Sequence, residues 1–284
     1  MMAVTADRSS VPARVPHGAA VVGGCVLTAL LAAAVLGRSA APYDPDQVSA
    51  AVSQPPSRVH LLGTNELGQD IFSEVVVGAR SSLGVGVSVA TLSTVLAWLI
   101  GVLGGIMPRG EMLASLGDLL LALPALPLLV LLMAYVGPSA PAAAITLSVL
   151  SWPAFARVIR AQVLSTKERE YVVAALAMGS GLFRIMTRHI LPETVPILVT
   201  KFVLTMRWAV LIDANLAFLG LADPGTASWG NMLNHAFRDP LLFTRRAWLW
   251  SAGPPALAIA VVVVTLAFVA QLTERRERRV LPES

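Results

Sequence analysis

The sequence has 284 residues, of which 56% are hydrophobic and only 13% are charged. This composition excludes an ordinary soluble domain and predicts an all-α polytopic membrane protein. The single cysteine, Cys25, excludes an internal disulfide and a cysteine-based metal cluster. The net charge is +4. In a membrane protein the positions of the basic residues along the chain, more than the net charge, set the orientation.

Six apolar stretches are long enough to cross a bilayer. A polar tail at 1–18 precedes the first, and a Pro-rich segment at 38–82 follows it, in which we expect a short amphipathic helix near 68–79. A cleaved signal peptide is the alternative for the first stretch, but its apolar run exceeds a signal's usual length. The core is expected over 83–270 and a C-terminal tail over 271–284. The six predicted spans are 19–37, 83–107, 112–136, 140–156, 194–220 and 248–270.

Pro124 and Pro127 predict a kink in the third span. Two long polar loops, 157–192 and 221–247, separate the later spans. With six spans, both termini share a side with the 157–192 loop, and that side holds 13 of the 21 basic residues against 6 on the other. The excess of positive charge therefore predicts cytoplasmic termini, a cytoplasmic 157–192 loop, and extracytoplasmic segments at 38–82 and 221–247.

The stretch from Lys167 to Pro192 carries three alanines at 174, 175 and 177, followed by Gly179. Small side chains let another backbone approach a short helix closely, and a glycine ends a helix readily because it tolerates positive φ. This pattern suits docking into a partner. The simpler alternative is that the alanines are good helix formers in a surface connection.

Several motifs keep a fixed order along the chain: PYDP (42–45), HLLGTNELGQDIFSEVVVGARSSL (60–83), SWPAFARVIRAQVLSTKEREYVVAALAMG (151–179), HILP (189–192), LIDANLAFLGL (211–221) and SWGNML (228–233). Together they resemble the C-type permease subunit of dipeptide and oligopeptide (Dpp/Opp-type) ABC importers. Lys167–Pro192 resembles the EAA loop of these permeases, whose short helix sits in a groove of the ATPase. The resemblance implies the type I ABC importer permease fold, with six transmembrane helices and both termini cytoplasmic.

The resemblance also implies a function and partners. The chain would form half of a path for di- or oligopeptides in the cell membrane, beside a homologous second permease, above two cytoplasmic ATPases and below an extracytoplasmic peptide-binding protein. No cofactor is implied, and the sequence lacks a GxxxxGK[ST] phosphate loop, so no ATPase site of its own is expected. Importers of nickel and of glutathione share much of the pattern, and an ATPase-independent secondary transporter is a more remote alternative.

The resemblance implies that the residues at matching positions of this loop contact the ATPase. These residues are Glu170, Ala174, Ala175, Gly179, Phe183, Ile185, Leu191 and Pro192. Phe183 and Ile185 could instead pack against the ends of spans four and five. The sequence departs from the family at Val173, where an acidic residue is general, at Gln69, where Arg is common, and in its C-terminal QLTERRERRV. A salt bridge from position 173 to the ATPase is therefore in doubt.

The fifth span contains charged residues, and a charge at the centre of a span costs about 2.5–3.5 kcal/mol on insertion scales. We expect Lys201 to snorkel toward the cytoplasm. Arg207, Asp213 and Asn215 are candidates for the translocation path or the interface with the second permease. Arg207 and Asp213 are too far apart around the helix to pair with each other. Our hypothesis is that Arg207 or Asp213 faces the cavity and meets the termini of a zwitterionic peptide.

Other polar residues carry weaker signals. Arg157 and Arg160 would anchor the membrane interface or touch the ATPase, and Asp118 would snorkel or pack between helices. The four histidines are scattered over the loops, so no metal site is expected. Gly179-Ser180-Gly181 lacks the GxSG pattern of intramembrane serine proteases and lies outside the spans, which excludes that enzyme class.

Overall fold

The structure is a computed structural model that describes residues 28, 32, 34–39, 41–45, 47–48, 51–107, 110–240, 242–243 and 246–280. The predicted tail at 1–18 and most of the predicted span at 19–37 lie outside these residues. Residues 34–36 are helical and lead into a 3₁₀ turn at Gly37–Ser39.

The described chain is helical, and its only β pairing is a single bridge between Thr64 and Asp70. A π-helical turn, Met186–Ile190, joins the sixth helix to the seventh. In chain order the helices are α1 (Ile71–Ile106), α2 (Gly110–Ala122), α3 (Ala125–Val136), α4 (Ala140–Lys167), α5 (Glu170–Ala177), α6 (Leu182–Ile185), α7 (Leu191–Phe218), α8 (Trp229–Arg238), α9 (Trp248–Ser251) and α10 (Gly253–Val280).

Four helical stretches of the described chain are long and apolar enough to cross a membrane: Ile71–Ile106, Ala140–Lys167, Phe183–Phe218 and Trp248–Thr273. A fifth span is possible if Ser115–Ala122 and Ala125–Val136, which meet at an angle of 91°, are counted together. The predicted kink is confirmed, since Pro124 lies at this bend as the N-cap of α3. The count of six spans and the side of the termini stay predictions.

The predicted short helix near 68–79 is wrong as a separate element, because α1 begins at Ile71 and runs without a break to Ile106. Asp70 starts it: its Oδ2 accepts hydrogen bonds from the backbone N of Ser73 at 2.9 Å and from Ser73 Oγ at 2.7 Å. His60 Nδ1 lies 2.9 Å from the other carboxylate oxygen. No proline separates Ile71 from the predicted start of the second span, so the helix continues.

Helix α1 is the centre of the bundle and packs against α4 and α7. Added Cβ atoms would come within 2.6 Å of Val210 at Gly86 and of Val163 at Gly105. The two glycines therefore let α1 approach α7 and α4 closely, as small residues do in membrane bundles. One end of the bundle, here the α8 end, carries residues 51–70 and 219–240. The other, the α5 end, carries residues 160–192.

Candidate functional site

The loop between α4 and α7 folds as a short helix held at the α5 end. Helix α5 spans Glu170–Ala177, and the chain then turns at Gly179, whose φ is +82°. An L side chain rarely adopts this conformation, so the residue type fits the turn. Glu170 lies exposed in the first turn of α5, where a carboxylate is favoured by the helix dipole.

One face of α5 is anchored in the bundle. Val172 is fully buried, and it belongs to an apolar cluster with Ile185, Ile190 and residues of α4. Ile185 is therefore a packing residue of the loop. Leu191 is partly buried against the same cluster, and Pro192 is exposed in the first turn of α7.

The opposite face of α5 is apolar and exposed. Ala174 is exposed and Ala175 half-buried, while Phe183 of α6 has 74% of its surface exposed. The other large exposed apolar side chains here are Val173, Leu176 and Met178. Grouped apolar side chains of this kind mark a surface for interaction. Phe183 is therefore exposed enough to contact a partner, whereas Ile185 is buried within the chain.

A carboxylate that we did not single out from the sequence ties α5 to the bundle. Glu193, in the first turn of α7, accepts a hydrogen bond from the Tyr171 hydroxyl and another from Thr166 Oγ1 at 2.6 Å. Gln162 Nε2 donates a third at 3.3 Å. Burial, followed by the bond to Glu193, raises the pKa of Tyr171, so the phenol keeps its proton to a higher pH than an ordinary tyrosine does. The three donors lie on α4 and α5, and Glu193 itself lies on α7.

Basic residues at the α5 end also bind within the chain. Arg160 Nε donates to the carbonyl of Gly104 at 3.1 Å, and Lys167 Nζ donates to that of Gly105 at 3.2 Å. Arg157 forms an exposed ion pair with Asp118. Arg157 thus links α4 to α2, and Arg160 links α4 to α1. Asp118 therefore acts in helix pairing.

The prediction that Lys201 snorkels is wrong. Its surface is 0% exposed, and its Nζ donates to Ser93 Oγ at 3.0 Å, Thr205 Oγ1 at 3.1 Å and the carbonyl of Ser151 at 3.4 Å. The same nitrogen lies 4.3 Å from the ring centroid of Phe155. Because these acceptors come from α1, α4 and α7, the lysine joins the three helices from inside.

The three candidate path residues on α7 have different surroundings. Arg207 is half-buried, Asn215 is exposed, and Asp213 is only 6% exposed. No ion pair joins Arg207 to Asp213 in the described part of the chain. Arg207 and Asp213 therefore do not neutralise each other.

A cavity of about 690 Å³ opens between α1, the start of α4 and the loop at 225–227. Its polar lining includes Arg80, Ser81 and Ser88 of α1 and Thr226 of the loop. A recess of about 20 Å³ lies beside it and is lined by Asp213. Arg80 and Ser81 were visible in the sequence as part of a motif, but only the fold shows that both line the cavity and that Ser81 also lines the recess with Asp213. Among the described residues, no group of three or more His, Cys, Asp and Glu could hold a metal ion.

Comparison with known proteins assigns a family to most of the chain. Residues 93–279 match the family described as binding-protein-dependent transport system inner membrane component. The di/tripeptide transport system permease protein DppC of Pseudomonas aeruginosa (strain UCBPP-PA14) is 36% identical over 261 residues, covering 88% of this chain and 84% of its own.

A protein of Brucella suis biovar 1 (strain 1330), whose provisional name is peptide permease protein, is 38% identical over 251 residues, with coverage of 87% and 82%. Among solved structures, an inward-facing conformation of the MetNI methionine ABC transporter matches with a TM-score of 0.49 and 20% identity. That match covers 73% of this chain and 94% of the other.

Proposed function

Because this chain belongs to the family of binding-protein-dependent transport system inner membrane components, we propose that it is the permease subunit of an ABC importer that takes up di- or oligopeptides. Family membership makes it a multi-pass protein of the cell membrane. The observation that carries the peptide cargo is the 36% identity, over 88% of the chain, to a di/tripeptide permease.

We propose that this chain works in a complex with other subunits, because its sequence has no phosphate loop for ATP. A sequence without a GxxxxGK[ST] loop needs separate ATPases to use ATP. We infer two ATPases below the α5 end, a homologous second permease beside the bundle, and an extracytoplasmic peptide-binding protein at the α8 end. We infer that segments 1–18, 157–192 and 271–284 lie on the cytoplasmic side of the membrane. Segments 38–82 and 221–247 are inferred to lie on the extracytoplasmic side.

Coupling to the ATPases would run through α5. Its exposed apolar face and Phe183 offer a surface to a groove, and Ala174 and Ala175 allow close approach. A ligand such as ATP shifts a conformational equilibrium only through contacts that differ between the two states. Glu193 would carry movement of α5 into α4 and α7, because a carboxylate with three donors resists sliding of the elements it joins.

The path would run along the cavity at the α8 end, which lies between α1 and the start of α4. The second permease would close this cavity from the other side. Asp213 is the candidate path residue that lines the neighbouring recess. Asn215, exposed on the same helix, is proposed to face the second permease.

The test is ATP-dependent uptake into vesicles that contain this chain with its neighbouring permease, ATPases and binding protein. Labelled dipeptides and oligopeptides should be taken up, and a Gly179→Asp variant that still assembles should fail to take them up. Uptake of a nickel chelate or glutathione, without uptake of peptides, would leave the ABC importer assignment intact and change the assigned substrate. Uptake of peptides that needs no ATP would overturn the importer assignment.

A further inference from the structure

We propose that Asp213 receives the amino group of the transported peptide, in the recess beside the large cavity at the α8 end. This inference rests on the proposed function, and it concerns one step: how the permease holds a peptide after the binding protein has released it. Buried polar groups in native proteins are nearly always hydrogen-bonded, so a buried carboxylate without a donor needs an explanation.

Asp213 is such a carboxylate. It is 6% exposed and lies inside α7, where the backbone amides bond within the helix. No hydrogen bond or ion pair to it exists among the described residues. Burying an unpaired charge is costly, and a ligand that supplies donors and a positive charge would offset that cost.

The recess itself suits a small cationic group. Its volume of about 20 Å³ accommodates something the size of one water molecule. Three serines line it: Ser81, Ser139 and Ser228. A primary ammonium has three N–H donors and a full charge, which a carboxylate and neighbouring hydroxyl groups can accept.

The second carboxylate of the recess, Asp223, is already used. Its Oδ1 accepts from the backbone N of Gly225 at 2.9 Å, and its Oδ2 accepts from Thr226 Oγ1 at 3.1 Å. Asp223 therefore stabilises its own turn, and Asp213 is left as the carboxylate that can bind a ligand. This difference between two aspartates of one recess provides a matched control.

The recess adjoins the large cavity, since Ser81, Val85, Ala140 and Thr226 line both. A peptide in the large cavity could thus place its amino end in the recess and leave its remaining atoms outside. Arg80 lines the same large cavity, is exposed, and has no ion pair within the described chain. The two side chains offer opposite charges to the two ends of a zwitterion. Arg207 lines neither cavity.

The first test does not depend on transport. In the assembled complex with Cys25→Ala, a cysteine at position 81 (Ser81→Cys) is treated with 2-aminoethyl methanethiosulfonate, which carries a primary ammonium, or with its neutral 2-hydroxyethyl analogue. With each rate divided by that reagent's rate with free cysteine, the cationic reagent should react about tenfold faster because of the nearby carboxylate. Asp213→Asn should remove this preference and Asp223→Asn should keep it. Equal rates for both reagents, or a preference that survives Asp213→Asn, would overturn the proposal.

The second test measures uptake of labelled trialanine at saturating binding protein. Asp213→Asn should lower uptake about tenfold while ATP hydrolysis and assembly persist, and Asp213→Glu should restore part of it. Wild-type uptake in Asp213→Asn would overturn the inference alone. Failure of the wild-type complex to take up any peptide would overturn the proposed function, and the thiol reactivity would still report on the cation site.

Discussion

The hydroxyl of Tyr171 donates a hydrogen bond to Oε1 of Glu193, which links helix α5 to the first turn of α7. The other oxygen of the same carboxylate binds Thr166 of α4. One side chain thus connects the surface helix to both membrane helices that flank its loop. Contacts to an ionised acceptor are stronger and more directional than neutral ones.

Removing the Tyr171 hydroxyl should weaken coupling more than stability. We expect Tyr171→Phe to lower peptide uptake about threefold to tenfold, with the stability changed by less than about 1 kcal/mol because the bond is partly exposed. The measurement is the ratio of peptide uptake to ATP hydrolysis in vesicles. Tyr135→Phe, at an exposed tyrosine of α3, is the control. An unchanged ratio in Tyr171→Phe would remove Glu193 from the coupling route.

The turn after α5 should need glycine at one of its two glycine positions. Gly179 has a φ of +82°, and neither Gly179 nor Gly181 has an atom within 4 Å of an added Cβ. We therefore expect Gly179→Ala to strain the backbone by about 1–2 kcal/mol, shift α5 and reduce uptake. Gly181→Ala should be tolerated, because its φ lies outside the positive range.

Binding of the purified ATPases and peptide uptake, measured on both glycine variants, give the readout. Equal losses in Gly179→Ala and Gly181→Ala would indicate that chain flexibility, and not the left-handed turn, is what the loop requires.

Lys201 should be replaceable by an apolar side chain of similar length. Buried charged groups often contribute little net stability compared with a well-packed apolar residue. We expect Lys201→Met to lie within about 1 kcal/mol of wild type. Lys201→Ala should lose about 2–4 kcal/mol by leaving a cavity. Thermal unfolding of the complex in detergent compares the two. Equal destabilisation would mean that the hydrogen bonds, and not the filled volume, hold α1, α4 and α7.

The contact between His235 and Glu66 predicts a pH dependence at the α8 end. Nδ1 of His235 lies 3.2 Å from Oε1 of Glu66, an oxygen with no well-aligned hydrogen-bond donor, so charge holds the pair. This contact with Glu66 is the main cause that raises the pKa of His235 above its ordinary value of 6.5. A raised pKa stabilises the fold while the group is protonated. The contribution is full below 6.5 and is lost as pH rises through the raised pKa.

Thermal unfolding of the complex should therefore shift to lower temperature as the pH rises from below 6.5 through the raised pKa. His235→Gln should flatten this part of the profile, and Glu66→Gln should flatten it in the same way because either change breaks the pair. A profile that keeps its slope in both variants would assign the titration to another group.

The sequence predicted most of the helices and the family, and it missed interactions that need several segments. Pro124 identified the bend because proline acts locally. Lys201 was misplaced, since its acceptors Ser93 and Ser151 lie on other helices and only packing brings them together. Glu193 was overlooked for the same reason. The start of α1 was set too late because the polar residues around Arg80 interrupt the apolar pattern without interrupting the helix.

The buried Lys201 also has a consequence for how the protein is made. Chains are synthesised from the N-terminus, so the segments with Ser93 and Ser151 leave the ribosome before the lysine does. An ammonium entering the bilayer alone costs about 2.5–3.5 kcal/mol. Its acceptors Ser93 and Ser151 have already been synthesised when the lysine emerges, and the third, Thr205, follows on its own helix. The order of the chain thereby lets earlier segments of the protein accept hydrogen bonds from this lysine and offset the cost of inserting it.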